Sequence, residues 1–226
     1  MRRPLFTLMI ALSLPLSAHA ASEVKLNPGE TLPIGAVTRD PGYPLDNMSR
    51  EIPPRGRVRC PAIAKVTYRG QVLRYHSAVR VNRPFRERLK LFEAVVAQTA
   101  KDVYGRVPRR IRHVGTYNCR RIGGYPHLVS EHGLANGIDV AGFDFAADRR
   151  ARHLPRSLRR GFRVRLLKHW SAKRGVAYSH HRRFLRLLAA RLIARHDIFR
   201  VLLGPGYPGH KDHFHFDVSP WRLVDM

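Results

Sequence analysis

Residues 212–218 read DHFHFDV. Side chains of an extended strand alternate between its two faces, so His213, His215 and Asp217 share one face here and Phe214 and Phe216 the other. A strand with one coordinating face and one aromatic face belongs in a sheet that covers a core on one side and presents chemistry on the other. The preceding residues 203–210, LGPGYPGH, form a turn-rich loop. A second segment, SEHGLANGIDVAGF (130–143), carries the complementary groups. His132 precedes a glycine-containing connection, and Asp139 lies on the strand that follows, GIDVAGFDF (137–145). The six residues between them let the chain turn and bring both groups to one point. His132, Asp139 and His215 thus offer two imidazoles and one carboxylate. That set suits Zn2+ with a fourth position left for water, whereas structural zinc usually takes four protein ligands, often cysteines. The other histidines at 76, 113, 127, 153, 169, 180, 181 and 196 read as ordinary residues.

Around these strands the pattern is mixed. VTYRGQVLRYHSAVRV (66–81) reads as a hairpin around Gly70. PFRERLKLFEAVVAQTAKDVYG (84–105) reads as a helix that starts at Pro84, shows one apolar side through Phe85, Leu89, Phe92, Val96 and Ala100, and stops at Gly105. A short strand is expected at 111–115 and another within GFRVRLLKHW (161–170). A second helix lies in HRRFLRLLAARLIARHDIFRVLL (181–203), with Phe184, Leu187, Leu188 and Leu192 as its apolar face. This order implies an α+β fold with a central antiparallel sheet flanked by helices.

Residues 1–20, MRRPLFTLMIALSLPLSAHA, have the basic start, short apolar run and small-residue end of a secretory signal. They are too short and broken to span a membrane, and no later stretch is apolar enough to do so. The expected organisation is a signal at 1–20, an irregular arm at 21–59 and one domain at 60–226, located in the periplasm or secreted. In an oxidising compartment Cys60 and Cys119 are expected to form a disulfide. The formal charge of +26 favours polyanionic partners. Export turns that expectation towards anionic wall polymers and wall peptides and away from a specific nucleic-acid partner. No nucleic-acid-binding motif is present, and neither GPGYPG nor RIGG has the layout of a phosphate loop; both read as rims of a cleft.

SEHGLANGIDVAGF and LGPGYPGHKDHFHFDV, together with TYNCRR (116–121), resemble the extensin-like C-terminal domain of bacterial proteins. That domain is in turn similar to zinc DD-carboxypeptidases and DD-dipeptidases of the VanY and VanX type and, more distantly, to MepA-like murein endopeptidases. The resemblance implies His132, Asp139 and His215 as zinc ligands, peptidoglycan or its stem peptides as substrate, and a DD-peptidase-like fold that cleaves at D-alanine. The alternative is a zinc-containing wall-binding domain without turnover. The carboxypeptidases carry Glu three residues before the last ligand, where this chain has Asp212. Asp212 and His213 are therefore rival general bases. Arg120 is the candidate for stabilising an oxyanion or holding a substrate carboxylate, with Arg121 its rival. His210 is placed beside the metal. Ser130 either meets substrate or caps the turn, Tyr117 lines the pocket or packs, Glu131 points outward, and Asp217 orients His215 or pairs with an arginine.

Overall fold

The chain is described here by a computed structural model covering residues 42–226. The expected signal and residues 21–41 of the expected arm lie outside the described residues. Along the chain run β1 (Lys65–Tyr68), β2 (Val79–Asn82), α1 (Arg83–Tyr104), β3 (Arg110–Gly115), β4 (Arg121–Ile122), β5 (Tyr125–Val129), a 3-10 turn (Glu131–Leu134), β6 (Gly137–Phe145), α2 (Arg156–Arg159), β7 (Phe162–Arg165), α3 (Leu166–His169), α4 (Val176–Ile193), β8 (Val201–Leu203), β9 (Phe214–Asp217) and β10 (Leu223–Asp225).

The principal sheet has the order β10-β8-β9-β6-β3, with β7 also on β6. Its pairings are antiparallel except for β10 on β8, which is parallel. The fold is α+β with a mixed sheet flanked by helices, and the purely antiparallel sheet expected from the sequence is corrected at this edge. The chain reverses between β8 and β9 and again before β10, so β10 runs in the direction of β8 and pairs on its free side.

One face of the sheet is the core. Phe214 and Phe216 are fully buried. Phe216 stacks on Phe199 at 5.0 Å between ring centroids and meets Phe92 of α1 at 5.6 Å, while Phe143 meets Phe184 of α4 edge-on at 5.1 Å. The helix α1 forms as its sequence dictates. The Asn82 side chain accepts from Phe85 N at 2.7 Å, Pro84 occupies the first turn, and Gly105 ends the helix at φ 67°, a left-handed conformation that costs glycine little. Phe85, Leu89, Phe92, Val96 and Ala100 form its buried stripe. The sequence did not reveal that Glu93 is buried in the same helix. Its carboxylate accepts from the backbone N–H groups of residues 71, 72 and 73 at 3.0, 2.7 and 3.1 Å and ties down the connection between β1 and β2.

Two bulges let β6 serve both faces. Arg112 pairs with Gly142 but His113 pairs with Val140, which leaves Ala141 as an extra residue on β6. Gly115 then pairs with Asp139, which leaves Val114 as an extra residue on β3. The first bulge reverses the alternation. Ile138 and Val140 on one side of it and Phe143 and Phe145 on the other all join the core, and Asp139 is free to face away.

Candidate metal centre

Register places the ligands. Asp139 pairs directly opposite His215, and Gly115 stands on the far side of Asp139. Gly115 has a local reason to be glycine, because a Cβ there would stand 2.4 Å from Asp139 Oδ2. His132 arrives from above on the 3-10 turn. Ser130 caps that turn, its hydroxyl accepting from His132 N at 3.3 Å.

The three ligand atoms form a small triangle. His132 Nε2 lies 3.2 Å from Asp139 Oδ1 and 3.1 Å from His215 Nδ1, and the latter two are 2.9 Å apart. Tetrahedral ligation at 2.0–2.1 Å implies ligand separations of about 3.3 Å, so the residues fit an ion of zinc size with little movement. Among the described residues this is the one group of three or more such side chains with ligand atoms gathered this closely.

The outer partners fit the same purpose. A histidine ligand is normally oriented by a hydrogen bond from its other nitrogen. His132 Nδ1 donates to the Thr116 carbonyl, and His215 Nε2 donates to Asp217 Oδ2 at 2.7 Å. Asp217 is held in turn by Ser219, whose N–H and hydroxyl donate to Oδ1 at 2.9 and 2.7 Å. Of the two roles open to Asp217, the structure shows the first, orienting His215. Burial alone would raise the Asp139 pKa, but the hydrogen bonds from His132 and His215 hold it far below the carboxylate range. Burial alone would lower His215, but Asp139 and Asp217 lift it to about 10. An ion bound at neutral pH therefore displaces a proton from His215.

The remaining candidates fall around this centre. His213 Nε2 lies 3.8 Å from Asp139 Oδ1, and its Nδ1 meets Asp212 Oδ1 at 2.8 Å. The Asp212 side chain is 64% exposed. His210 packs on His213 with ring centroids at 4.9 Å and receives support from the Pro208 carbonyl. Arg120 is exposed on the rim and donates to the Arg121 carbonyl at 3.2 Å. Arg121 is occupied elsewhere, donating to the carbonyls of Pro126, Pro53 and Gly56. Tyr117 lies under Lys65 Nζ, 4.3 Å from its ring centroid. Glu131 is not outward-facing as expected. It is buried in an ion pair with Arg50 at 2.8 Å, because the 3-10 turn directs it inward towards Asn136 and the segment before β1. Cys60 and Cys119 form a disulfide, which fastens the chain just after the TYN segment to the start of the domain.

A cleft of about 540 Å3 adjoins the centre. Its floor is the outer face of the sheet, where Val201, Leu203 and Leu223 stand in rows beside His215 and Asp217. Tyr125, Tyr207 and Trp221 line it, and the glycine-rich segments at 123–124 and 209 form part of its rim.

A family model described as Extensin-like protein C-terminus matches residues 45–224. No curated protein and no solved structure matches the chain. The match is to the extensin-like family that the motifs resemble and not to a peptidase family, which corrects the further expected likeness to the DD-carboxypeptidase, VanY, VanX and MepA types. The expectation of a zinc metallopeptidase hydrolysing peptidoglycan is corrected with it.

Proposed function

The chain belongs to the extensin-like C-terminal family, and from that premise we propose that it is an exported, non-catalytic module that holds one zinc ion and binds a segment of anionic cell-wall polymer in the cleft beside it. The observation that carries this reading is the double position of His215. It is one corner of the ligand triangle and also part of the cleft lining. An ion on His215 therefore places positive charge in a mainly apolar, aromatic-rimmed groove that Arg120, Asp217 and Asp225 also line, and an acidic group of the polymer is attracted to the ion and to Arg120. The charge of +26 draws polyanions to the surface from a distance. Aromatic and aliphatic walls then hold the uncharged part of the segment.

Co-sedimentation with isolated bacterial cell walls tests this at fixed ionic strength, with the chain zinc-loaded, chelator-treated or carrying His132→Ala. The expected result is retention by the walls that falls when the ion is removed by either route, with no new amino ends released. Retention indifferent to the ion would refute the link between centre and cleft. Release of wall fragments would refute a module without turnover.

A further inference from the structure

A second histidine pair lies outside this centre, and backbone pairing builds it. Residues 74–76 run alongside β3, with Ile111 N donating to the Arg74 carbonyl at 2.8 Å and His76 N donating to the Ile111 carbonyl at 2.8 Å. This clamps His76 beside His113, two residues further along β3. The bulge that extrudes Val114 begins at His113, and bulges re-aim the side chains next to them. The two imidazole rings stand 4.8 Å apart between centroids.

Both rings direct Nε2 at one oxygen. Ser77 Oγ lies 3.3 Å from His76 Nε2 and 3.0 Å from His113 Nε2, and the Ser77 carbonyl oxygen is 3.3 Å from His113 Nε2. These groups open on a cavity of about 470 Å3 whose lining includes Gly115, Thr116, Tyr117 and Asn118. Desolvation lowers the pKa of the half-buried His113, with His76 adding to the effect, and partial desolvation of the more exposed His76, with Arg112 adding, lowers that ring too. A lowered pKa favours the neutral imidazole, the form that offers a lone pair to a cation.

We infer that His76 and His113, with Ser77 as an oxygen donor, form a second metal site that takes a late first-row divalent ion, Cu2+ above Zn2+. Imidazole nitrogens suit these ions, and Cu2+ stands at the top of their affinity order. The site is weaker and more exchangeable than the first. It offers two nitrogens, and His113 Nδ1 is buried with no hydrogen-bond partner, so this ring lacks the outer support that His132 and His215 have. The two sites share a wall. Gly115 stands against Asp139 and the Thr116 carbonyl holds His132, while both residues also line the second cavity.

Copper titration of the purified, zinc-loaded chain tests this, followed by calorimetry and by electron paramagnetic resonance. The expected result is a copper-binding step separate from any exchange of zinc at the first centre, with nitrogen hyperfine structure from two imidazoles, that is lost in His76→Ala and unchanged in His127→Ala. His76 and His127 are both exposed, so neither substitution threatens the fold. The step should persist in His132→Ala, which separates this site from the first centre. Absence of a copper step in the unaltered chain, or its full retention in His76→Ala, would overturn the inference.

Discussion

Gly115→Ala is a sharp test of the geometry around Asp139. The added methyl would stand 2.4 Å from Asp139 Oδ2 and 3.3 Å from its Cγ. Ordinary contact at about 3.5 Å then requires the carboxylate to retreat by about 1 Å. Ligand positions are tolerated within about 0.2 Å, and Oδ1 belongs to the same rigid carboxylate. The obstacle is the end of a side chain and not backbone, so the sheet accommodates the methyl while the ligand moves. Zinc affinity should fall at least as far as when a histidine ligand loses its outer partner, about 10–100-fold, or roughly 1.4–2.7 kcal/mol. Competition against a chromophoric zinc chelator reads the affinity, and thermal unfolding of the metal-free chain reads the fold. A variant that binds zinc as tightly as the unaltered chain would refute the reasoning. So would a metal-free variant that no longer folds, since it would show that the site cannot yield at Asp139 alone.

Other consequences follow from the same structure. Glu131→Ala leaves Arg50 charged and buried, with both side chains of the pair at most 3% exposed; a loss of about 3–5 kcal/mol is expected and is read by urea denaturation, a loss under 1 kcal/mol counting against it. Reducing the Cys60–Cys119 disulfide frees a loop whose ends are 59 residues apart, for an expected loss of about 4 kcal/mol, measured by denaturation with and without reductant. Burial, aided by the charges of His169 and His180, depresses His181 from 6.5 to about 4. As pH falls below 6.5 the unfolded chain takes up this proton while the folded chain does not, so this contribution is intact above 6.5 and lost as pH approaches 4. Stability curves of His181→Gln against the unaltered chain should therefore converge over that window, and parallel curves would contradict the assignment.

Much of the centre was legible because strand alternation is a local rule. HFHFDV dictates which side chains share a face, and the helix at 84–105 announces itself through period, proline and glycine. What was not legible depends on partners distant in the chain. Leu223 to Asp225 become a strand only because β8 offers a free edge. Glu131 read as outward, and nothing local announced the burial of Glu93, because the groups that engage them, the Arg50 side chain and the backbone N–H groups at 71–73, lie 81 and 20–22 residues away. The bulge at Ala141 matters most. A strict alternation through GIDVAGFDF would place Phe143 and Phe145 on the face of Asp139, and the register slip alone returns them to the core. The activity was the part least determined by local pattern, since the same three ligands serve a turning-over site or a silent one. His76 and His113, 37 residues apart with no motif around either, meet only through the pairing of residues 74–76 with β3.

The central claim is that His132, Asp139 and His215 together hold a metal ion. Native mass spectrometry of the zinc-reconstituted chain, after brief exposure to a weak chelator, tests it most directly. One retained zinc per chain is predicted, absent from His132→Ala, Asp139→Ala and His215→Ala variants whose circular dichroism is unaltered. Stoichiometric zinc in any of those folded variants, or none in the unaltered chain, would contradict it.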